Sequence, residues 1–194
     1  MSLLPKKIAS LVIAALIPPL AAQALTVQAG FWLGSRTVLD SKIKTTYGNG
    51  SVFLPYLQAT VWRKLFLGAS FETGYEQNGV LGAYSNPAVL SVQGLDLFLG
   101  YEFRAKAFAA FVKAGYGLYQ YKQTVLNNPF AAAFKVNHRQ STAVVGAGIK
   151  LYPRKFLFIA GEAKFVPLKV RPFDYEVDLG GWRFLGGLGL SFDL

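Results

Sequence analysis

From residue 25 onward, large apolar side chains recur at every second position, and the last fifteen residues show the pattern most plainly. The even positions Trp182, Phe184, Leu188, Leu190, Phe192 and Leu194 are large and apolar, interrupted only by Gly186. The odd positions Gly181, Arg183, Gly187, Gly189, Ser191 and Asp193 are small or charged, with Leu185 the exception. A period of two is that of a β-strand, whose successive side chains point to opposite faces. Typical soluble strands have about 5–6 residues. A run this long suits a strand tilted across a membrane, which needs about 9–11 residues with apolar side chains towards lipid.

Eight stretches carry this alternation. They are predicted at Leu25 to Arg36, Val52 to Trp62, Leu65 to Glu76, Gly94 to Phe103, Ala107 to Tyr121, Ser141 to Tyr152, Phe156 to Pro167 and Gly180 to Leu194. Long polar connections (Asp40 to Gly50, Gln77 to Val89, Lys122 to Arg139, Leu168 to Leu179) alternate with tight turns at Arg63-Lys64, Arg104 to Lys106 and Pro153 to Lys155. Asn78-Gly79, Asn86-Pro87 and Asn127-Asn128-Pro129 are chain breakers inside the long connections. Beyond residue 24 no helical period is predicted, apart from one turn at Phe130 to Phe134. The layout is that of an all-β, eight-stranded antiparallel up-and-down barrel, with both chain ends on the tight-turn side. Closure removes the exposed edges of such strands.

The alternation also assigns faces. Odd residues of strands one to four, six and seven, with even residues of strands five and eight, form a face without a charged residue. Phe103, Phe108 and Phe192 fall on it near the turns, and Phe53, Tyr75, Phe165 and Trp182 near the loops, as in the aromatic girdles of membrane barrels. Pro55 and Pro167 lie on the same face and predict irregular pairing. The opposite face takes twelve of the twenty glycines, as a narrow interior requires. It also takes Glu72, Glu76, Asp96, Glu102, Glu162 and Asp193, against Arg36, Lys113, Lys150, Lys164 and Arg183. A soluble ligand-binding calyx would have the reverse polarity, greasy inside and polar outside.

Composition adds the cellular address. Lys6 and Lys7 precede an apolar stretch from Ile8 to Leu20, followed by the small-residue site Ala22-Gln23-Ala24. This reads as a cleaved export signal over residues 1 to 24, leaving one domain at 25–194. Without Lys6 and Lys7, 18 basic residues remain against 10 acidic ones, and in an exported chain such a balance points to anionic lipid rather than nucleic acid. There is no cysteine, which excludes disulfides and thiolate metal sites.

Stretches such as Val144 to Tyr152 (VVGAGIKLY) and Phe111 to Tyr121 (FVKAGYGLYQY), set in this layout, resemble the Gly-aromatic strands of small eight-stranded outer-membrane barrels. The transmembrane domain of OmpA, OmpX and the opacity proteins typify that family. Its members usually end in an aromatic residue; here Phe192 stands two positions before Leu194. The resemblance implies an outer-membrane anchor that displays surface loops, surrounded by outer-membrane lipid and lipopolysaccharide. It also implies handling by periplasmic chaperones and the barrel-assembly machinery. A narrow solute channel of the OmpW-like kind is the alternative, and a lipid-modifying enzyme comes third.

The interior charges are the candidate site. Counted from the tight turns, Glu72, Asp96, Lys113, Glu162 and Lys164 fall near mid-barrel, and with Arg183 they are expected to form a paired polar plug. Re-pairing of these charges would make a gate. Hydrolytic chemistry of the triad kind needs a histidine with a partner. The one histidine, His138, is expected in a loop beside Arg139 with Ser141 nearby, so no catalytic residue is assigned. No cofactor is expected either. Asp174, Glu176 and Asp178 alternate in the fourth loop and read as a solvated edge rather than a metal site. Phe130 to Phe134 and the group Val80, Leu81, Tyr84, Val89 and Leu90 are apolar for loops, which suits either a surface contact or packing over the barrel mouth.

Overall fold

A computed structural model describes residues 25–81, 85–125, 134–171 and 176–194. The export signal, the Phe130 turn, Tyr84 and Asp174 lie outside the described residues. Eight strands close into one antiparallel barrel: β1 (Thr26–Arg36), β2 (Gly50–Trp62), β3 (Leu65–Leu81), β4 (Asn86–Ala105), β5 (Phe108–Val125), β6 (Phe134–Arg154), β7 (Leu157–Val166) and β10 (Gly181–Asp193). Each strand pairs with its sequence neighbour in the barrel, and β10 closes on β1 through pairs running from Thr26–Asp193 to Arg36–Arg183. The short strands β8 (Lys169–Val170) and β9 (Val177–Asp178) form a separate hairpin in the fourth loop. A helix, α1 (Ser41–Tyr47), occupies the first loop.

The outward face is the one the alternation assigns. Leu33, Leu57, Leu67, Leu97, Val112 and Phe184 are among its exposed apolar side chains. Trp182 packs beside Phe165 at 5.1 Å on this face, while Phe103, Phe108 and Phe192 stand exposed towards the turns. Lipid is the only solvent that such a band suits. The turns are two residues long. Arg63 (φ 48°) and Lys106 (φ 53°) take the left-handed conformation that lets a two-residue hairpin follow the strand twist. Pro55 has its expected effect: pairing of β2 with β3 skips from Tyr56–Ser70 to Phe53–Thr73.

Three expectations are corrected. First, β3, β4, β5 and β6 do not stop at the membrane boundary. They run 17, 20, 18 and 21 residues and rise past the mouth as a four-stranded sheet, so the described parts of Gln77 to Val89 and of Lys122 to Arg139 are almost all strand. The outward face of this extension is mostly polar, while the inward face carries Ala88, Leu90, Val92 and Tyr121, all buried. Asn78-Gly79 and Asn86-Pro87 nonetheless read as chain breakers and hide the strands. Second, Asp40 to Gly50 is not irregular. The Asp40 side chain accepts hydrogen bonds from the Lys42 and Ile43 amides and caps α1, whose Ile43 and Tyr47 turn one way at i, i+4 spacing. Third, a β-bulge between Glu72 and Tyr75, with Gly74 at φ 89°, inserts one residue and exchanges the two faces of β3 above it. Tyr75, expected on the lipid side, is 1% exposed inside the barrel, and Glu76, expected inside, faces out. Asp193 is likewise exposed, at the tight-turn rim, where it accepts from the Thr26 hydroxyl at 2.7 Å.

Any L side chain at Gly74 meets the left-handed penalty of about 1–2 kcal/mol. Gly74→Ala is therefore expected to destabilise the barrel by that amount in urea unfolding from detergent micelles. Unchanged stability would mean that the bulge relaxes.

Candidate functional site in the barrel lumen

Inward parity concentrates the polar residues in a space only wide enough for side chains. The upper tier is built around Glu72, contributed by β3 just below the bulge. Its carboxylate takes Arg183 at 3.2 Å, Lys164 at 3.1 Å and Arg36 at 3.6 Å, from β10, β7 and β1. Lys164 bridges onward to Asp96 of β4, which also accepts from the Ser70 hydroxyl at 3.2 Å and the Tyr119 hydroxyl at 2.8 Å. Glu72, Arg36 and Arg183 have side chains with no solvent exposure. The ring of Tyr119 can lie there because Gly94 faces it: a Cβ on Gly94 would stand 2.3 Å from the ring.

Below this tier the lumen is aromatic. Trp32 stacks on Tyr56 at 5.4 Å, Phe66 meets Phe98 edge-on at 6.2 Å, and Phe111 contacts both Trp32 and Phe66. Lys113 passes through this layer, with its ammonium 4.4 Å from the Phe98 ring and 2.8 Å from Glu162. Nearest the turns lies a second polar tier. Lys150 donates to Glu102 and to Gln28, the latter at 2.6 Å. Gln28 donates to the Tyr152 hydroxyl and accepts from Gln58.

Above the ions the mouth is covered. Tyr75 lies under the Arg36 guanidinium at 4.4 Å and donates to the Gly48 carbonyl beyond the end of α1. Tyr47 accepts from Gln123, which in turn accepts from Tyr121. Leu90 and Val92 of β4 and Leu168, Val170 and Leu179 of the fourth loop are buried together above the ion tier. Of the apolar second-loop residues, Leu90 thus packs over the mouth, whereas Val80 is exposed.

All six predicted lumen residues point inward, but they form two groups rather than one. Glu72, Asp96, Lys164 and Arg183 share the upper tier, while Lys113 and Glu162 make a separate pair beneath it. The prediction left out Arg36, Tyr119 and the whole Lys150–Glu102 tier, although each has inward parity in the sequence. His138 is in β6 rather than a loop, opposite Tyr121, and lies an odd number of residues from Ser141, so the two occupy opposite faces of the sheet. Ser141 accepts from the Tyr116 hydroxyl on the outer face at 2.6 Å. Glu176 is engaged by Lys169 and Arg171, whose hydrogen bonds hold its carboxyl below the ordinary value.

Removing one partner from a buried ion cluster costs about 3–5 kcal/mol. Glu72→Gln leaves Arg36, Arg183 and Lys164 with Asp96 alone and is expected to lose that much stability in urea titrations followed by tryptophan fluorescence. Lys113→Met, which breaks one pair and keeps the ring contact, is expected to lose less. Equal losses would contradict a hub at Glu72.

No family model matches the chain, and no curated protein matches it. Solved structures do. The outer membrane protein OprG from Pseudomonas aeruginosa aligns at 12% identity over 89% of this chain and 97% of its own, with a TM-score of 0.63. The attachment invasion locus protein Ail of Yersinia pestis, in complex with the heparin analogue sucrose octasulfate, aligns at 12% identity over 88% of this chain and 100% of its own, with a TM-score of 0.55. The N-terminal β-barrel domain of OprF from Pseudomonas aeruginosa aligns at 16% over 88% and 98%, also at 0.55. At these identities the likeness is one of fold, and the fold is that of the small eight-stranded outer-membrane β-barrels.

Proposed function

We propose that this chain is an outer-membrane anchor that displays a rigid surface for contacts outside the cell, with a lumen that serves stability rather than passage. The observation that carries this reading is the filling of the barrel from end to end: ions around Glu72, an aromatic layer, ions around Lys150, and an apolar lid over the mouth. A solute channel needs a continuous wet path, and the near-complete burial of Arg36, Glu72, Lys164, Arg183 and Lys150 in the ion tiers speaks for a filled lumen instead. The sheet that β3 to β6 raise above the mouth supports the display role, because it holds the loop tips on paired backbone. Among the fold neighbours, Ail bears the name of an attachment protein, and by analogy of fold alone this favours display. No enzymatic role is part of the proposal, since His138 and Ser141 sit on opposite faces of β6. Export through residues 1–24 and delivery by chaperones and the barrel-assembly machinery belong to the same reading.

The test is attachment of bacteria carrying the full chain to epithelial cells and to extracellular-matrix coatings. In a companion variant, the β3–β4 tip (residues 79–88) is replaced by a two-residue turn. The proposal expects attachment above that of vector-only cells and its loss in the trimmed variant, with the heat-shifted mobility of a folded barrel kept in both. Attachment equal to vector-only cells, or untouched by trimming, would overturn the display role.

A further inference from the structure

The outer wall of the barrel changes chemistry over a short rise along β3 to β6. One row across the strands is apolar: Phe71 of β3 neighbours Leu95 of β4, which neighbours Leu118 of β5. The next outward row is made of Gln93, Gln120 and Arg139, again side by side. Arg139 stands two residues above Ser141, the β6 partner of Leu118, hence about 7 Å further from the membrane centre. The two rows line a single groove of about 520 Å³. Higher up, Lys122 and Lys135 continue on the same outward face, opposite Asn137 and Thr124, as diagonal neighbours of the Arg139 row. All three cations are exposed. Among the described residues none of them has a carboxylate partner, and Ser91 lies between Lys122 and Glu76, the outward acid in that row.

This contrasts with the lumen, where cations are held by acids. An unpaired column of positive charge standing on an apolar step is complementary to an amphiphile with an anionic head. We propose that this groove binds a phosphorylated lipid of the outer leaflet, of the lipid A class. Its phosphates engage Arg139, Lys122 and Lys135, its sugar hydroxyls meet Gln93 and Gln120, and its acyl chains lie on Phe71, Leu95 and Leu118. A soluble polyanion would use the cations but has no use for the apolar row, and that row is what selects a lipid. The inference takes the loop side of the barrel as the outer surface.

The experiment titrates the full folded chain in detergent with diphosphoryl lipid A and reads bound lipid by native mass spectrometry. Three companions accompany it: Lys122→Ala/Lys135→Ala/Arg139→Ala, single Arg139→Gln, and Lys106→Ala/Lys155→Ala on the tight-turn rim. Heat-shifted gel mobility verifies folding of each, which separates a failed barrel from a failed site. Wild type and the rim variant are expected to bind alike, Arg139→Gln about fivefold more weakly, and the triple variant at least tenfold more weakly. Dephosphorylated lipid A should bind wild type as weakly as lipid A binds the triple variant. Wild-type affinity in the folded triple variant, or indifference to the phosphates, would overturn the proposal. So would sucrose octasulfate binding as tightly as lipid A, which would make the patch a site for soluble polyanions.

Discussion

Every charge that points into an eight-stranded barrel has to find its counter-charge there, because the interior has room for side chains and not for bulk water. The rest of this structure follows from that constraint. Glu72 takes three cations from three other strands, Asp96 shares one of them, and Lys113 and Lys150 each have an acid of their own. The partners are distant in sequence: Glu72 and Arg183 lie 111 residues apart. The ion pairs therefore form only when the sheet closes in the right register, and a slip by one residue would turn each charge into lipid. The polar interior specifies the barrel as much as it stabilises it.

The same constraint separates the two populations of basic residues. Inside, Arg36, Lys113, Lys150, Lys164 and Arg183 lie against carboxylates, aromatic faces or both. Outside and above the membrane boundary, Lys122, Lys135 and Arg139 stand without a carboxylate among the described residues, where water and anionic headgroups can meet them. The overall excess of base over acid in the chain is thus largely a surface property. Six cations sit at the tight turns (Arg63, Lys64, Arg104, Lys106, Arg154 and Lys155), and Lys122, Lys135 and Arg139 form a second group on the sheet that rises from β3 to β6.

Much of this was legible in the sequence, because burial on one face of a strand imposes a period of two. Strand number, order, closure and the inward direction of all six candidate lumen residues follow from that period. It fails where other signals outweigh it. Above the membrane Leu90, Val92 and Tyr121 still point inward and are buried. The polar run of Gln120, Lys122, Gln123, Asn137 and Arg139 and the breakers at Asn78-Gly79 and Asn86-Pro87 nonetheless read as loop. The bulge at Gly74 leaves no trace in hydrophobicity, which is why Tyr75 and Glu76 were assigned to each other's faces. α1 is too short for a moment to emerge, and only its Asp40 cap and the Ile43–Tyr47 spacing hinted at it. The pairing of charges is set by register across the barrel, which one strand's pattern does not contain.

A filled lumen makes one electrical statement about the intact molecule. The most direct measurement is single-channel recording of the folded wild-type barrel in a planar bilayer in high salt, with insertion verified independently by protease accessibility of the loops. Tiers held by Glu72 and Lys150 predict a flat baseline at both polarities. Discrete, reproducible openings from the inserted wild-type barrel would contradict a sealed lumen and turn these ion pairs into a gate.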